Sequence, residues 1–514
     1  MHSYETAGAM SPFDQNAGVT ASIDDEDAPE REDAEEPGAP TVNPFVITDH
    51  DPLSTFAVDV DTASYDIFRQ HANAGQLPPQ HTVRTEEFIN AFDYDYFAPA
   101  PEDGAPHPFA LDVEVGPSPF RDTTLMRVGV RGRVFDAANT PANIVWLLDV
   151  SGSMQSQAKL PLVKSFMTAA MDSLPPESTM SIVTYAGFTK VALGPTPVSQ
   201  KDLIIDTLNG LSAGGSTAGG AGIDLAYEQA QLGKLAEGIN VVILCSDGDF
   251  NVGPSSTSDL LDLIEEKRKT GVMLSVYGFG MSNLNDSMFE AVSNAGNGTY
   301  AVISNEEQAI EYAHNNLIQN ITYVAQDVKI QVAFNPEKVR AYRLLGYENR
   351  AIADEDFTDD RVDAGEIGSD HNVTALYELV IGDAEVPDFE GTSVDDGPAF
   401  DPSEDPSFIP ADEDALVDIR LRYKTVGASE EDPAMQVDYT VTPVLLNSDF
   451  ESTSADLRWS TMIAAWAEIL RDSPFAADYD ISALEALAQG AAGLRADRME
   501  FIQLLAKAKD LMSP

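Results

Sequence analysis

The chain has 514 residues with 43% hydrophobic content, too long for a single core and enough for two to four domains. Eighty-five acidic residues against 30 basic ones give a formal net charge of −55. Such a surface repels nucleic acid and anionic lipid and argues against both as partners. The acid surplus has two readings: solubility in a salty habitat, or a specific polyanion function. The single cysteine, Cys245, follows the apolar run Val241-Val242-Ile243-Leu244. It reads as a small buried hydrophobe, and no disulfide framework within the chain is possible. No stretch approaches the roughly 18 apolar residues of a membrane span.

Residues 1–42 crowd Asp24, Asp25, Glu26, Asp27, Glu30, Glu32, Asp33, Glu35 and Glu36 among Ala, Pro and Gly. That composition predicts a disordered acidic tether. Met1 to Met10 lacks the charged and apolar regions of a signal peptide. Either the protein is cytoplasmic, or the recorded start is internal and an export signal is missing. Residues 43–139 form an extension with a strand expected at Thr55–Val60 and a helix at Ala63–Ala74. Leu111/Val113/Val115 and Met126/Val128/Val130 alternate with charged or small residues and predict half-exposed antiparallel strands. Within this extension, Asp59-Val60-Asp61-Thr62 resembles the nucleophile motif of haloacid-dehalogenase-type phosphotransferases, with Asp59 as the attacking group. That reading requires a Rossmann-sized core around the motif. In the plainer alternative, Asp61 or Thr62 caps the helix beginning at Ala63.

From residue 140 to 323 strands alternate with helices. Strands are expected at Ile144–Val150, Met180–Tyr185, Asn240–Ser246, Met273–Phe279 and Thr299–Ile303. Leu160, Val163, Phe166, Met167, Ala170 and Leu174 have helical spacing, as do Leu260, Leu261 and Ile264, and a last helix falls near Glu306–Ile321. The pattern predicts a doubly wound, mainly parallel sheet. Residues 324–450 return to strands: Val328/Ile330/Val332/Phe334 face one way, with Asp327, Lys329 and Gln331 opposite. Tyr377/Leu379/Ile381, Val417/Ile419/Leu421/Tyr423 and Val437/Tyr439/Val441 repeat the arrangement. An acidic, Pro-rich solvated loop is expected at 383–414. Residues 451–514 are helical, with stripes through Trp459, Ile463, Trp466 and Leu470 and through Phe501, Leu504, Leu505, Ala508 and Leu511. The economical fold is α/β, inserted in or flanked by a β-sandwich, with a C-terminal helical segment. Two separate small β domains would give the same pattern.

Ile144-Val145-Trp146-Leu147-Leu148 leads directly into Asp149-Val150-Ser151-Gly152-Ser153. A buried strand thus delivers oxygen ligands at its carboxyl end, where open α/β sheets place their sites. Oxygen donors suit Mg²⁺, Ca²⁺ or Mn²⁺ rather than zinc or copper. Gly214-Gly215-Ser216-Thr217-Ala218-Gly219-Gly220 holds hydroxyls on a backbone able to approach a ligand closely. Val241 to Asp247 is a second apolar run ending in a carboxylate before Gly248. Ser151 and Ser153 lie in Val-Ser-Gly-Ser-Met, not in a hydrolase Gly-x-Ser-x-Gly. The seven histidines have no metal-ligand spacing. Asp249 reads as a solvated loop residue or as an outer group behind the metal.

Asp149, Ser151, Ser153, Thr217 and Asp247 in this order resemble the metal-ion-dependent adhesion site of the von Willebrand factor type A (VWA) domain, over roughly residues 140–323. The flanks, notably Ser54 to Tyr65 and the helical C-terminus, resemble the extensions of one bacterial subgroup whose members often carry export or lipoprotein signals. The resemblance implies an antiparallel edge strand at Lys190–Leu193. It also implies a divalent ion, Mg²⁺ or Mn²⁺ or Ca²⁺, held directly by Ser151, Ser153 and Thr217, with Asp149 and Asp247 acting mostly through water. An ion with neutral ligands stays electrophilic and leaves a position for an outside carboxylate. The expected function is therefore capture of a partner protein's Asp or Glu, not catalysis, either as adhesion at the cell envelope or as a cytoplasmic metal-gated assembly factor. The acidic runs at 24–36 and 383–414 are candidate internal pseudo-ligands for the same position.

Overall fold

The computed structural model of the protein describes residues 42–99, 105–134, 140–215, 222–236, 238–248, 257–280, 285–389, 412, 414–429 and 432–512. The tether expected before residue 42 lies outside them. The first elements are β1 (Val46–Ile47), β2 (Leu53–Ala57), α1 (Ala63–Asn73), α2 (Thr85–Asn90), β3 (Phe109–Pro117) and β4 (Thr124–Gly132). The strand expected to reach Val60 ends at Ala57 because the chain then turns inward with two carboxylates. Thr62 occupies the N-cap position of α1 without a side-chain cap bond. Asp61 Oδ1 accepts from the backbone N–H of Tyr300 at 2.8 Å. Neither residue therefore caps α1 as expected.

The α/β unit follows: β5 (Ala142–Asp149), α3 (Leu160–Ser173), β6 (Thr179–Tyr185), β7 (Thr189–Pro197), α4 (Lys201–Gly210), α5 (Gly222–Leu232), β8 (Ile239–Ser246), α6 (Thr257–Arg268), β9 (Met273–Phe279), α7 (Asp286–Ala295), β10 (Tyr300–Ile303), α8 (Glu306–Asn315) and α9 (Leu317–Ile321). The strands lie in the order β10-β9-β8-β5-β6-β7, parallel except for β7. Every residue of β5 and of β8 is buried. Ile144, Trp146 and Leu148 face a core with Phe166 and Tyr312, while Val145 and Leu147 face Ile223, Ile264 and Val292. Helices thus cover both faces, which is why these strands read as unbroken apolar runs. The helix expected through Glu306–Ile321 is divided at Asn316.

Beyond it come β11 (Tyr323–Phe334), β12 (Val339–Leu345), β13 (Gly365–Gly368), β14 (Asn372–Ile381), β15 (Val417–Lys424) and β16 (Met435–Val441). One antiparallel sheet has the order β1-β12-β14-β4-β3; in the other, β11 lies between β15 on one side and β13 and β2 on the other, with β16 outermost. Val115, Val128, Val130, Ile330, Val332, Tyr377, Leu379, Ile419 and Leu421 meet between the sheets. Strands from both sides of the α/β unit therefore build one sandwich. β2 belongs to it, so the Rossmann-type core that a phosphotransferase would need around Asp59 is not built there. The outer face of β11 is also buried. Lys329 Nζ donates to the carbonyls of Asp356 (3.0 Å) and Asp359 (2.6 Å), and Gln331 Nε2 donates to Thr55 Oγ1 (3.1 Å). β4, expected to be half-exposed, is almost wholly buried, with the Arg127 guanidinium over the Tyr96 ring at 4.9 Å.

The chain closes with α10 (Ala455–Leu470), α11 (Ile481–Ala491) and α12 (Ala496–Met512). Ser454 Oγ caps α10 by accepting from the Leu457 N–H at 3.0 Å. Trp459, Ile463, Trp466, Phe501, Leu504, Leu505 and Ala508 are buried together with Tyr65, Phe68, Phe88 and Phe92 of the N-terminal extension. Leu511, placed in the apolar stripe by its spacing, is 41% exposed. At the start of the expected 383–414 loop, Phe389 packs on Phe475 with ring centroids 5.1 Å apart, so this portion is anchored. Residues 390–411 and 413 lie outside the described residues. No helix among the described residues is long and apolar enough to cross a membrane.

Candidate metal centre

β5 ends at Asp149, fully buried, and the next residues turn across the carboxyl edge of the sheet. Val150 N–H donates to the Tyr185 carbonyl at 3.0 Å. Ser151 N–H donates to Asp149 Oδ1 at 2.8 Å, and Ser151 Oγ lies 2.9 Å from Ser153 Oγ. Two hydroxyls are thereby held within hydrogen-bond distance of each other, with Ser151 buried and Ser153 exposed. Burial pushes the Asp149 carboxyl up to about 6, against the pull of the bonds from Ser151.

The glycine-rich loop is tied to this turn at its start. Gly214 N–H donates to the Val150 carbonyl at 2.8 Å, and Gly152 N–H donates to the Gly215 carbonyl at 3.1 Å. Gly215 has φ +93°, a conformation that side chains disfavour. Thr217, two residues on, lies outside the described residues, as does Asp249.

β8 pairs with β5 in parallel, Leu148 opposite Cys245. The register brings Ser246 beside Asp149, where its Oγ donates to Asp149 Oδ2 at 3.3 Å. Asp247 follows, 2% exposed. Its Oδ2 is 2.6 Å from Lys159 Nζ, while its Oδ1 is buried without a hydrogen-bond partner among the described residues. An orphaned carboxylate oxygen at the sheet edge that also carries a hydroxyl pair is a donor set suited to a hard cation. Among the described residues no group of three or more His, Cys, Asp or Glu side chains is arranged to hold a metal. A cation here would therefore depend on hydroxyl oxygens.

Of the five residues singled out in the sequence, Asp149, Ser151, Ser153 and Asp247 come together at one sheet edge. Three neighbours carried no such signal. Ser246 hid in an apolar strand, Lys159 precedes α3, and Phe188 sits in the turn between β6 and β7. Phe188 is 71% exposed, and a Cβ on Gly215 would lie 3.7 Å from the backbone nitrogen of its neighbour Gly187.

A second polar cluster was not foreseen. Asp59, Asp61, Glu86, Glu87, Asp286 and Glu290 are all buried, with Arg84 and Arg350 among them. Arg84 pairs with Glu87 (3.1 Å), Asp286 (2.6 Å) and Glu290, and Arg350 pairs with Asp59 (2.9 Å) and Asp61 (3.4 Å). Burial pushes Asp61, Glu86, Glu87, Asp286 and Glu290 upward, Glu86 to about 8. The only local hints were the paired acids Asp59/Asp61 and Glu86/Glu87 in otherwise apolar surroundings.

Comparison with known proteins agrees with the α/β reading. The family model for the von Willebrand factor type A domain matches residues 143–318. Models described as "von Willebrand factor" and "Uncharacterized protein YfbK, C-terminal" match residues 32–127 and 319–511. "Uncharacterized protein YfbK" of Escherichia coli (strain K12) is 34% identical over 471 residues, covering 90% of this chain and 79% of that protein. Among solved structures, a von Willebrand factor type A protein from Catenulispora acidiphila is 16% identical, with TM-score 0.45 over 80% of this chain and 91% of that one. The ArnB paralog VWA2 from Sulfolobus acidocaldarius is 12% identical, with TM-score 0.36 over 79% and 98%. The VWA model spans the α/β unit, the other two span its flanks, and the bacterial relative runs through all three: the chain belongs to the YfbK family of VWA domain proteins.

Proposed function

We propose that the protein is a divalent-metal-dependent binding module, not an enzyme, which captures an Asp or Glu carboxylate of a partner protein. In this reading Ser151, Ser153 and Thr217 hold Mg²⁺, or Mn²⁺ or Ca²⁺, while Asp149 and Asp247 act behind them through water. The observation that carries it is Asp247 Oδ1, buried and without a hydrogen-bond partner among the described residues, at the same sheet edge as two hydroxyls 2.9 Å apart. When bound, the ion supplies an electrophilic position for an external carboxylate. Asp149 orients Ser151 through the backbone N–H, and Ser246 fixes the second oxygen of Asp149. The exposed ring of Phe188, whose neighbour Gly187 lies close to Gly215 of the glycine loop, offers an apolar contact beside that position. The favoured partner segment thus pairs an acidic residue with an apolar one. The same chemistry serves adhesion at the cell envelope if the chain is exported.

Calorimetric titration of the full chain with Mg²⁺ tests the metal. Binding lost in the double variant Asp149→Ala, Thr217→Ala is expected, and unchanged binding would sink the assignment. A peptide library displaying Asp or Glu beside apolar residues, screened in Mg²⁺ and in EDTA, tests the partner chemistry.

A further inference from the structure

Lys159 Nζ lies 2.6 Å from Asp247 Oδ2, and the two side chains are only 11% and 2% exposed. This is the one ion pair that reaches Asp247 among the described residues. The contact has its own architecture. Gly280, at φ +91°, leaves the space that the lysine stem fills, since a Cβ there would sit 2.9 Å from Lys159 Cε. Lys159 also stands at the N-terminal boundary of α3, while Gln155, Ser156, Gln157 and Ala158 before it are exposed. An ammonium is therefore held inside a cleft otherwise suited to a divalent cation, on a flexible stem at the end of an exposed segment.

We propose that Lys159 is a tethered counter-ion, which a divalent cation must displace from Asp247 to enter the site; this rests on the metal reading above. Two cations within a few ångströms of one carboxylate repel strongly in a poorly solvated cleft. The ammonium neutralises Asp247 while the ion is away and competes with it on arrival. Binding thus becomes weaker and conditional on divalent ion concentration. It also carries a movement, because the released side chain must leave toward solvent, beside the exposed Gln155–Ala158 segment. The metal-loaded surface seen by a partner then differs from the metal-free one beside Ser153, which is how a cation threshold would gate partner capture.

Two measurements on the full chain test this. In Mg²⁺ titration, Lys159→Met is expected to bind about tenfold or more tightly than wild type, on the order expected for removal of a close like charge. Lys159→Arg, which keeps the charge, should stay near wild type. Wild-type binding with no gain in Lys159→Met would overturn the counter-ion role and leave the metal reading intact; no binding in either protein would overturn both. The second measurement needs no variant. Acylation of Lys159 in the wild-type protein, followed by peptide mass spectrometry, should speed up when Mg²⁺ is added. Equal labelling with and without Mg²⁺ would show that the ammonium is not displaced.

Discussion

Arg84 Nη2 lies 2.6 Å from Asp286 Oδ2, joining the N-terminal extension to α7 of the VWA unit across 202 residues of sequence. The same guanidinium reaches Glu87 and Glu290 and also donates to Ser64 Oγ at 3.0 Å. One cation thus holds three buried acids at the junction of two layers. Arg84→Met removes it and strands those acids. The expected loss is ~3–5 kcal/mol, the usual cost of breaking a buried ion pair from one side. Urea unfolding at pH 5 and pH 8 checks this, with the smaller loss expected at pH 5, where the stranded acids take up protons.

The same region sets a pH dependence. Burial, followed by the charges of Glu348 and Asp59, raises Glu86 from 4.5 to about 8. Burial raises Asp66 from 3.8 to about 7. A carboxyl raised on folding binds its proton more tightly in the native state. Its contribution is therefore complete below the unfolded value near 4 and is lost as pH climbs through 7 to 8. Melting temperature should fall between pH 5 and 8. Glu86→Gln, neutral throughout, should flatten that fall and gain stability at pH 8 relative to wild type. An unaltered slope would place the linkage elsewhere.

Phe188 is exposed enough that replacing it by Ala should change folding stability by less than ~0.5 kcal/mol. Mg²⁺ affinity should also be unaffected. Affinity for a Mg²⁺-dependent acidic peptide should drop by ~1 kcal/mol or more if the ring is a contact anchor. Comparing calorimetry with Mg²⁺ and with peptide separates these effects.

Phe501→Ala should be costly. Its ring meets Phe92, Trp459 and Tyr65 with centroids 5.8, 5.6 and 6.3 Å apart. Emptying that position should cost ~3–5 kcal/mol, read by chemical denaturation, and should loosen α1 together with α12.

The central sheet was legible because helices bury both faces of its strands, leaving apolar runs that end at ligand-bearing residues. Asp149, Ser151, Ser153 and Asp247 were readable for the same reason, since each stands where such a run stops. Lys159 was not, because no local pattern tells where a long side chain will land 88 residues away. Short elements were also missed. α4 buries only Ile204 and Leu208, and α2 has just six residues. On β11, Lys329 and Gln331 looked like a solvent face, but the 3₁₀ turn at Asp354–Thr358 and the residue after it take up Lys329, and Thr55 of the neighbouring strand β2 bonds Gln331. The buried acids run from Asp59 to Glu290 and, with Arg84 and Arg350, become a cluster only in three dimensions.

The core that Phe68 and Phe88 share with Trp466 and Phe501 has a consequence for synthesis. The aromatic faces of α1 and α2 cannot be buried until the C-terminal helices, about 370 residues later in the chain, have been made. The VWA unit can close on its own strands well before that, because its contacts are comparatively local. The nascent chain therefore presents a finished middle with sticky ends for the remainder of translation. Premature termination anywhere before α12 leaves those N-terminal aromatics uncovered, a natural mark for chaperones and proteases.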